Sequence, residues 1–205
     1  MQARLTAPET RLLDTGRAAL RREGAAVTAL SDQLDGTFVR AVTMILECRG
    51  HVAVSGAGTS AAVARRRAHL LTCVWVPAFY LSAGDSAHGA ASVTPRDVLL
   101  VVSKGGEIDE LNHLVRVARR TGAPVIAVTA EERSTLARQS DVVVRFAVPA
   151  GADGHGVIAM GSSLASAAIG DALCWAVLGE RGYDPERFRE VYPGGAADKR
   201  LAPAR

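Results

Sequence analysis

The chain has 205 residues, a formal net charge of +3, and 48% hydrophobic, 22% charged and 4% aromatic residues, a balance that suits one globular domain with a sizeable core. So mild a positive charge and so few rings argue against nucleic acid as a partner, and no uninterrupted apolar run of about eighteen residues exists to cross a membrane. Residues 1–23 lack a signal peptide's apolar centre, and Cys48, Cys73 and Cys174 show no metal-ligand spacing; the expectation is a reduced, cytoplasmic protein with no metal site.

In chain order, Val27, Leu30, Leu34, Phe38, Val42 and Ile45 recur every three or four residues, so the first fifty residues read as helical. Asp35-Gly36 divides them into two helices, with Asp35 capping the second and Gly50 closing it. Strands are then predicted over 52–55, 78–81, 98–103, 124–129 and 141–146. They alternate with helices over 59–71, 107–121, 134–139 and 160–178, and a last short helix begins near Asp184-Pro185. This alternation predicts a parallel sheet covered on both faces. The basic runs Arg65-Arg66-Arg67 and Arg119-Arg120 fall in helices and read as solvated faces.

Two loops carry the chemistry. Ser55-Gly56-Ala57-Gly58-Thr59-Ser60 follows the apolar run ending at Val54, and Ser103-Lys104-Gly105-Gly106-Glu107 follows the apolar run ending at Val102. Each is a strand, a glycine-bearing turn and a helix start. Such a turn brings backbone N–H groups close to a ligand, and the helix behind it adds unpaired donors and partial positive charge. Side by side, the two turns would bind an anion, with phosphate the usual occupant. Gly56-Ala57-Gly58-Thr59-Ser60-Ala61 also fits a loose dinucleotide fingerprint. The acidic residue expected at the end of the next strand is missing at Leu81-Ser82, and Asp85 comes late, so a sugar phosphate ranks above a nicotinamide cofactor.

The segments GAGTS at 56–60, AGDSAHG at 83–89, VTPRDVLLVVSKGGEIDEL at 93–111, APVIAVTAEERSTLARQSDVVV at 123–144, GSSLASAAIGDALCWAVL at 161–178 and RGYDPERFREVYPGGA at 181–196 resemble, in order and spacing, the SIS (sugar isomerase) domain family. Within it the chain is similar to the arabinose-5-phosphate isomerase branch, in a short form without the CBS domains that many members carry. The resemblance implies a three-layer α/β/α sandwich with a five-stranded parallel sheet. Residues 1–50 would supply helices packing on the SIS domain or on a partner subunit, and 51–205 the SIS domain itself. It implies a homo-oligomer, dimer or tetramer, with a shared site. The implied reaction interconverts ribulose 5-phosphate and arabinose 5-phosphate through an enediol, which needs no cofactor because hydrogen bonds can polarise the carbonyl.

Carried over position by position, the resemblance assigns Gly56, Gly58, Thr59 and Ser60 to a first phosphate-side loop, Ser103, Gly105 and Gly106 to a second, and Ser162 and Ser163 to the start of the long helix. Glu107 matches a general base, and its expected place in a first helical turn favours the ionised form; the alternative is a capping-box glutamate. His88 matches a histidine suited to moving a hydroxyl proton; the alternative is a loop histidine bonded to backbone. The chain departs from the family at several positions. Thr59 stands where the family has lysine, and Lys104 where it has an uncharged polar residue, so Lys104 is expected to replace the missing cation from the neighbouring turn. Gly105 stands for a serine and Ala90 for an aspartate. Ala152 stands for a glutamate, leaving Asp153, or His155 in the same loop, as the substitute. Tyr192 stands for a histidine and, titrating at about pH 10 in model peptides, is a poor proton shuttle. The resemblance thus supports a sugar-phosphate ligand, with an aldose–ketose isomerase as the first reading. The alternatives are a non-catalytic sugar-phosphate sensor and an enzyme like 6-phospho-3-hexuloisomerase, whose long helix opens with a similar Met160-Gly161-Ser162.

Overall fold

The computed structural model describes residues 5–85 and 89–191. Runs of β-branched and aliphatic residues form five strands: β1 (Val52–Gly56), β2 (Ala78–Tyr80), β3 (Val98–Val102), β4 (Val125–Thr129) and β5 (Val142–Arg145). They make one parallel sheet in the order β2-β1-β3-β4-β5. Every residue of β1, β3 and β4 is buried. Helices on both faces of the sheet cause this, and it is why these strands read as continuous apolar runs rather than alternating ones.

The helices are α1 (Ala7–Thr28), α2 (Gly36–Glu47), α3 (Thr59–Cys73), α4 (Asp109–Thr121), α5 (Thr135–Arg138), α6 (Gly161–Arg181) and α7 (Pro185–Val191). Successive strand residues point to opposite faces. Val54, Leu100, Val102 and Ile126 therefore meet Ile45 of α2, Leu71 of α3, and Ile169 and Leu173 of α6. Leu99, Val101 and Ala127 meet Leu111 and Leu114 of α4 and Leu136 of α5. The result is the three-layer sandwich that the resemblance implies. By length and composition α6 could cross a membrane, but half of its apolar window is buried in the fold, where it packs on α3, α1 and α2.

Element boundaries fall within three residues of those expected, and two local differences have a physical reason. Asp35 caps α2 as expected, accepting from Thr37 N at 2.8 Å. Gly50 does not close that helix. α2 ends at Glu47, and Gly50 instead leaves room for the Asp97 carboxylate and the Arg96 carbonyl, which a Cβ would strike. α4 begins at Asp109 rather than Glu107, because Ile108 is extended and serves as its N-cap residue.

Candidate functional site

β1 and β3 are neighbours in register, with Gly56 opposite Val102. Their two exit turns therefore emerge side by side at the carboxyl edge of the sheet, where open α/β sheets hold ligands. After β1, Gly58 takes φ 55° and ψ −129°, a conformation that L side chains rarely hold. It launches α3, so that Thr59 and Ser60 occupy the first turn and their amides have no intrahelical acceptor. After β3, Ser103 Oγ accepts from Gly106 N at 3.1 Å, and Gly106 sits at φ 67°. The Gly106 carbonyl then accepts from Leu136 N at 3.1 Å and from Asn112 Nδ2 at 3.2 Å. The second turn is thus clamped to α4 and α5.

The start of α6 is the third wall. Thr59, Ser60, Lys104, Ser162, Ser163 and Ser166 line one small cavity of about 20 Å³, room for about one water molecule. Among the expected phosphate-side residues, Thr59, Ser60, Lys104, Ser162 and Ser163 are brought together here. Gly56, Gly58, Ser103, Gly105 and Gly106 shape the turns without lining the cavity.

Lys104 reaches from its turn to a carboxylate. Its Nζ donates to Asp153 Oδ2 at 2.6 Å. Asp153 is 7% exposed. Its other oxygen, Oδ1, accepts from Ser162 N at 2.8 Å and Met160 N at 3.1 Å, the favourable place for a negative charge at the N-terminus of α6. Burial pushes the Asp153 carboxyl up, but the bonds from Lys104 and Ser162 outweigh it and hold the group below its ordinary value. An ammonium has three N–H donors, so Lys104 keeps others for a ligand. The Ser163 amide has no acceptor among the described residues. Asp153 also forms part of a wider cleft of about 510 Å³ between α1 and the 151–160 loop, with Arg22, Glu23 and His155 around it.

Glu107 does not line the cavity. It is exposed, and its Oε1 accepts from Thr135 N at 2.8 Å, at the first residue of α5. The bonds from Thr135, with the Arg138 charge behind them, hold its carboxyl below the ordinary glutamate value. It is ionised as expected, though the cause is α5 and not a first turn of α4. The capping-box alternative does not hold either, since the helix that it caps is α5. His88 and Tyr192 lie outside the described residues. Among the described residues, no group of three His, Cys, Asp or Glu side chains is placed to hold a metal ion.

Two residues of this region escape a reading of the sequence. Ser166 stands four residues after Ser162, a spacing that puts both on one helix face and could have flagged it. The arginine run does not form one solvated face. Arg65 lies over the Tyr80 ring at 4.3 Å, Arg66 pairs with Asp171, and Arg67 is 2% exposed between α3 and α6. Consecutive helical residues are turned by about 100° from one another, so three in a row cannot all face water on a packed helix.

The SIS domain pattern matches residues 44–176. The arabinose 5-phosphate isomerase KpsF of Escherichia coli is 34% identical over 192 residues, covering 93% of this chain and 61% of that protein. The arabinose 5-phosphate isomerase KdsD of Escherichia coli K12 is 33% identical over 187 residues, 91% of this chain and 57% of that protein. The chain thus spans about three-fifths of the length of these curated relatives. The solved structure of Escherichia coli CFT073 c3406 in complex with arabinose 5-phosphate superposes with a TM-score of 0.85 at 25% identity, covering 92% of this chain and 100% of that one. With well over half of its length matched and its strands, turns and flanking helices arranged as described, the chain belongs to the SIS domain family.

Proposed function

We propose that this protein is an aldose–ketose isomerase of a sugar phosphate, with ribulose 5-phosphate and arabinose 5-phosphate as its substrate pair. One observation carries the reading: two helix N-termini and the Lys104 ammonium converge with the hydroxyls of Thr59, Ser60, Ser162 and Ser163 on a single cavity at the carboxyl edge of the sheet. Such a set suits an anion, phosphate being the usual occupant, and the cavity of about 20 Å³ has to widen to admit one. The likeness to KpsF, to KdsD and to the c3406 structure with its bound arabinose 5-phosphate supports the sugar and the reaction.

In this reading the phosphate is held by Thr59, Ser60, Lys104, Ser162 and Ser163, and the sugar extends away from the cavity. The turn carrying Gly105, Gly106 and Glu107 adjoins it. Glu107 takes the proton from the carbon next to the carbonyl, the carbonyl oxygen gains a proton to give the enediol, and the proton returns at the neighbouring carbon. His88 moves the hydroxyl proton, Asp153 fixes Lys104, and Tyr192 donates a hydrogen bond. Release of Glu107 from Thr135 raises its basicity, since those bonds favour the ionised form. The protein is read as cytoplasmic, in keeping with cysteines that form no disulfide among the described residues. It is read as a dimer or tetramer, in keeping with the outward leucines of α1. Residues 1–50 are read as the helical preface to an SIS domain over 51–205.

A second reading, a sugar-phosphate sensor without turnover, is favoured by one fact: the Glu107 carboxylate is engaged by Thr135 and stands outside the cavity. Proton exchange separates the two. Incubated in deuterated water with ribulose 5-phosphate, the isomerase incorporates deuterium next to the carbonyl, seen by NMR, and E107Q abolishes the incorporation while leaving binding intact. Tight binding with no exchange across pentose and hexose phosphates makes it a sensor; exchange confined to fructose 6-phosphate makes it a hexulose-phosphate enzyme.

A further inference from the structure

Arg67 is a buried cation with too few partners. Its Nη2 donates to the Ser166 carbonyl at 2.6 Å, while Nε and Nη1 are buried without an acceptor among the described residues. The nearby carboxylate, Asp171, is paired bidentately with Arg66. Burial pushes the Cys174 thiol up to about 11, so it is neutral and supplies no counter-charge. Burial also lowers the Arg67 guanidinium to about 10, which leaves it charged at neutral pH. A lone buried cation of this kind is costly and is replaceable by an apolar side chain unless an anion offsets it.

The geometry shows where that anion would be. α3 and α6 both begin at the cavity, with Thr59 and Ser60 on one and Ser162 and Ser163 on the other, and they pack together along their lengths. Arg67 lies two turns along α3, and helical side chains lean toward the N-terminus, here toward the cavity. Gly170 of α6 gives it passage, since a Cβ there would strike the Arg67 guanidinium. Ser166, one turn closer to the cavity, is 4% exposed, lines it, and has an Oγ without a partner among the described residues. We infer that Arg67 is a positioning cation for the phosphate seat, acting from behind the cavity through Ser166 and supplying positive charge that Thr59 does not. The inference rests on the sugar-phosphate reading above.

The test is calorimetric titration with inorganic phosphate and with arabinose 5-phosphate, alongside thermal unfolding. R67M is expected to weaken both ligands by about tenfold, as loss of a unit charge about two helical turns away implies at an effective dielectric constant of about 20, while the melting temperature holds or rises. R67K retains most of the affinity. G170A, which keeps the arginine and displaces its guanidinium, weakens binding in the natural background and has no further effect beside R67M. Unchanged affinity in R67M with a lower melting temperature overturns the inference and makes the arginine a packing element. If R67M does not fold, G170A decides, and unchanged affinity there overturns it equally. A natural protein that binds neither ligand removes the sugar-phosphate reading itself, and the inference with it.

Discussion

Asp153 and Lys104 show how a changed residue set can still place an ammonium at the cavity wall. The carboxylate is anchored by two amides at the start of α6 and in turn anchors an ammonium at the cavity wall. K104A is expected to weaken phosphate binding about tenfold, since a charge-assisted contact is lost, and titration with inorganic phosphate measures it; full affinity would show that Lys104 is only a partner for Asp153. D153N removes the pair and weakens the cap, at a cost of about 1–3 kcal/mol near neutral pH. The sign of its pH dependence follows from the lowered carboxyl value. Folding favours the ionised form, so the stabilisation is present above the ordinary aspartate value of 3.8 and is lost as pH falls through the lower folded value. Denaturant unfolding should therefore separate D153N from the natural protein at pH 7 and bring the two together in strong acid. A gap that persists there assigns the loss to packing.

The strands were legible at the level of the element because a doubly covered sheet demands unbroken apolar runs, and Val98–Val102 and Val125–Thr129 supply them. The start of α4 was not legible to within two residues. Glu107 is a good first-turn residue by charge, but Gly106 at φ 67° and the bond from Thr135 to Glu107 turn the chain toward α5 first, a tertiary effect no local window contains. Arg67 was hidden for the same reason, as its burial depends on Gly170 of a helix distant in the chain. The clamp on α5 yields its own prediction. In G106A the new methyl runs into the Ser134 side chain and the residue is held at positive φ, which should cost about 1–3 kcal/mol. The Leu136 amide, bonded to the Gly106 carbonyl, should lose hydrogen-exchange protection before the β4 amides do. Equal loss across the sheet would mean that the turn is not a local clamp.

Considered as a whole, the molecule is uneven: a dense sandwich carries one long helix that it scarcely buries. Among the 22 residues of α1 only Ala26 is buried, while Leu12 and Leu20 are 75% and 71% exposed. Isolated helices are marginal in water, and most helical stability comes from packing an apolar face. α1 packs on α6 along one side, which leaves the outward leucines as a surface suited to another copy of the chain. Sedimentation should therefore give a mass above that of one chain. L12E/L20E should reduce it to a single chain and lower the helical circular dichroism as α1 frays. Thr59, Ser60, Lys104, Ser162 and Ser163 already gather within one chain, so if they hold phosphate as proposed the dissociated variant should still bind it. Turnover is the property that a shared site would forfeit on dissociation, and a single-chain variant that isomerises at the full rate would place every reacting group within one subunit.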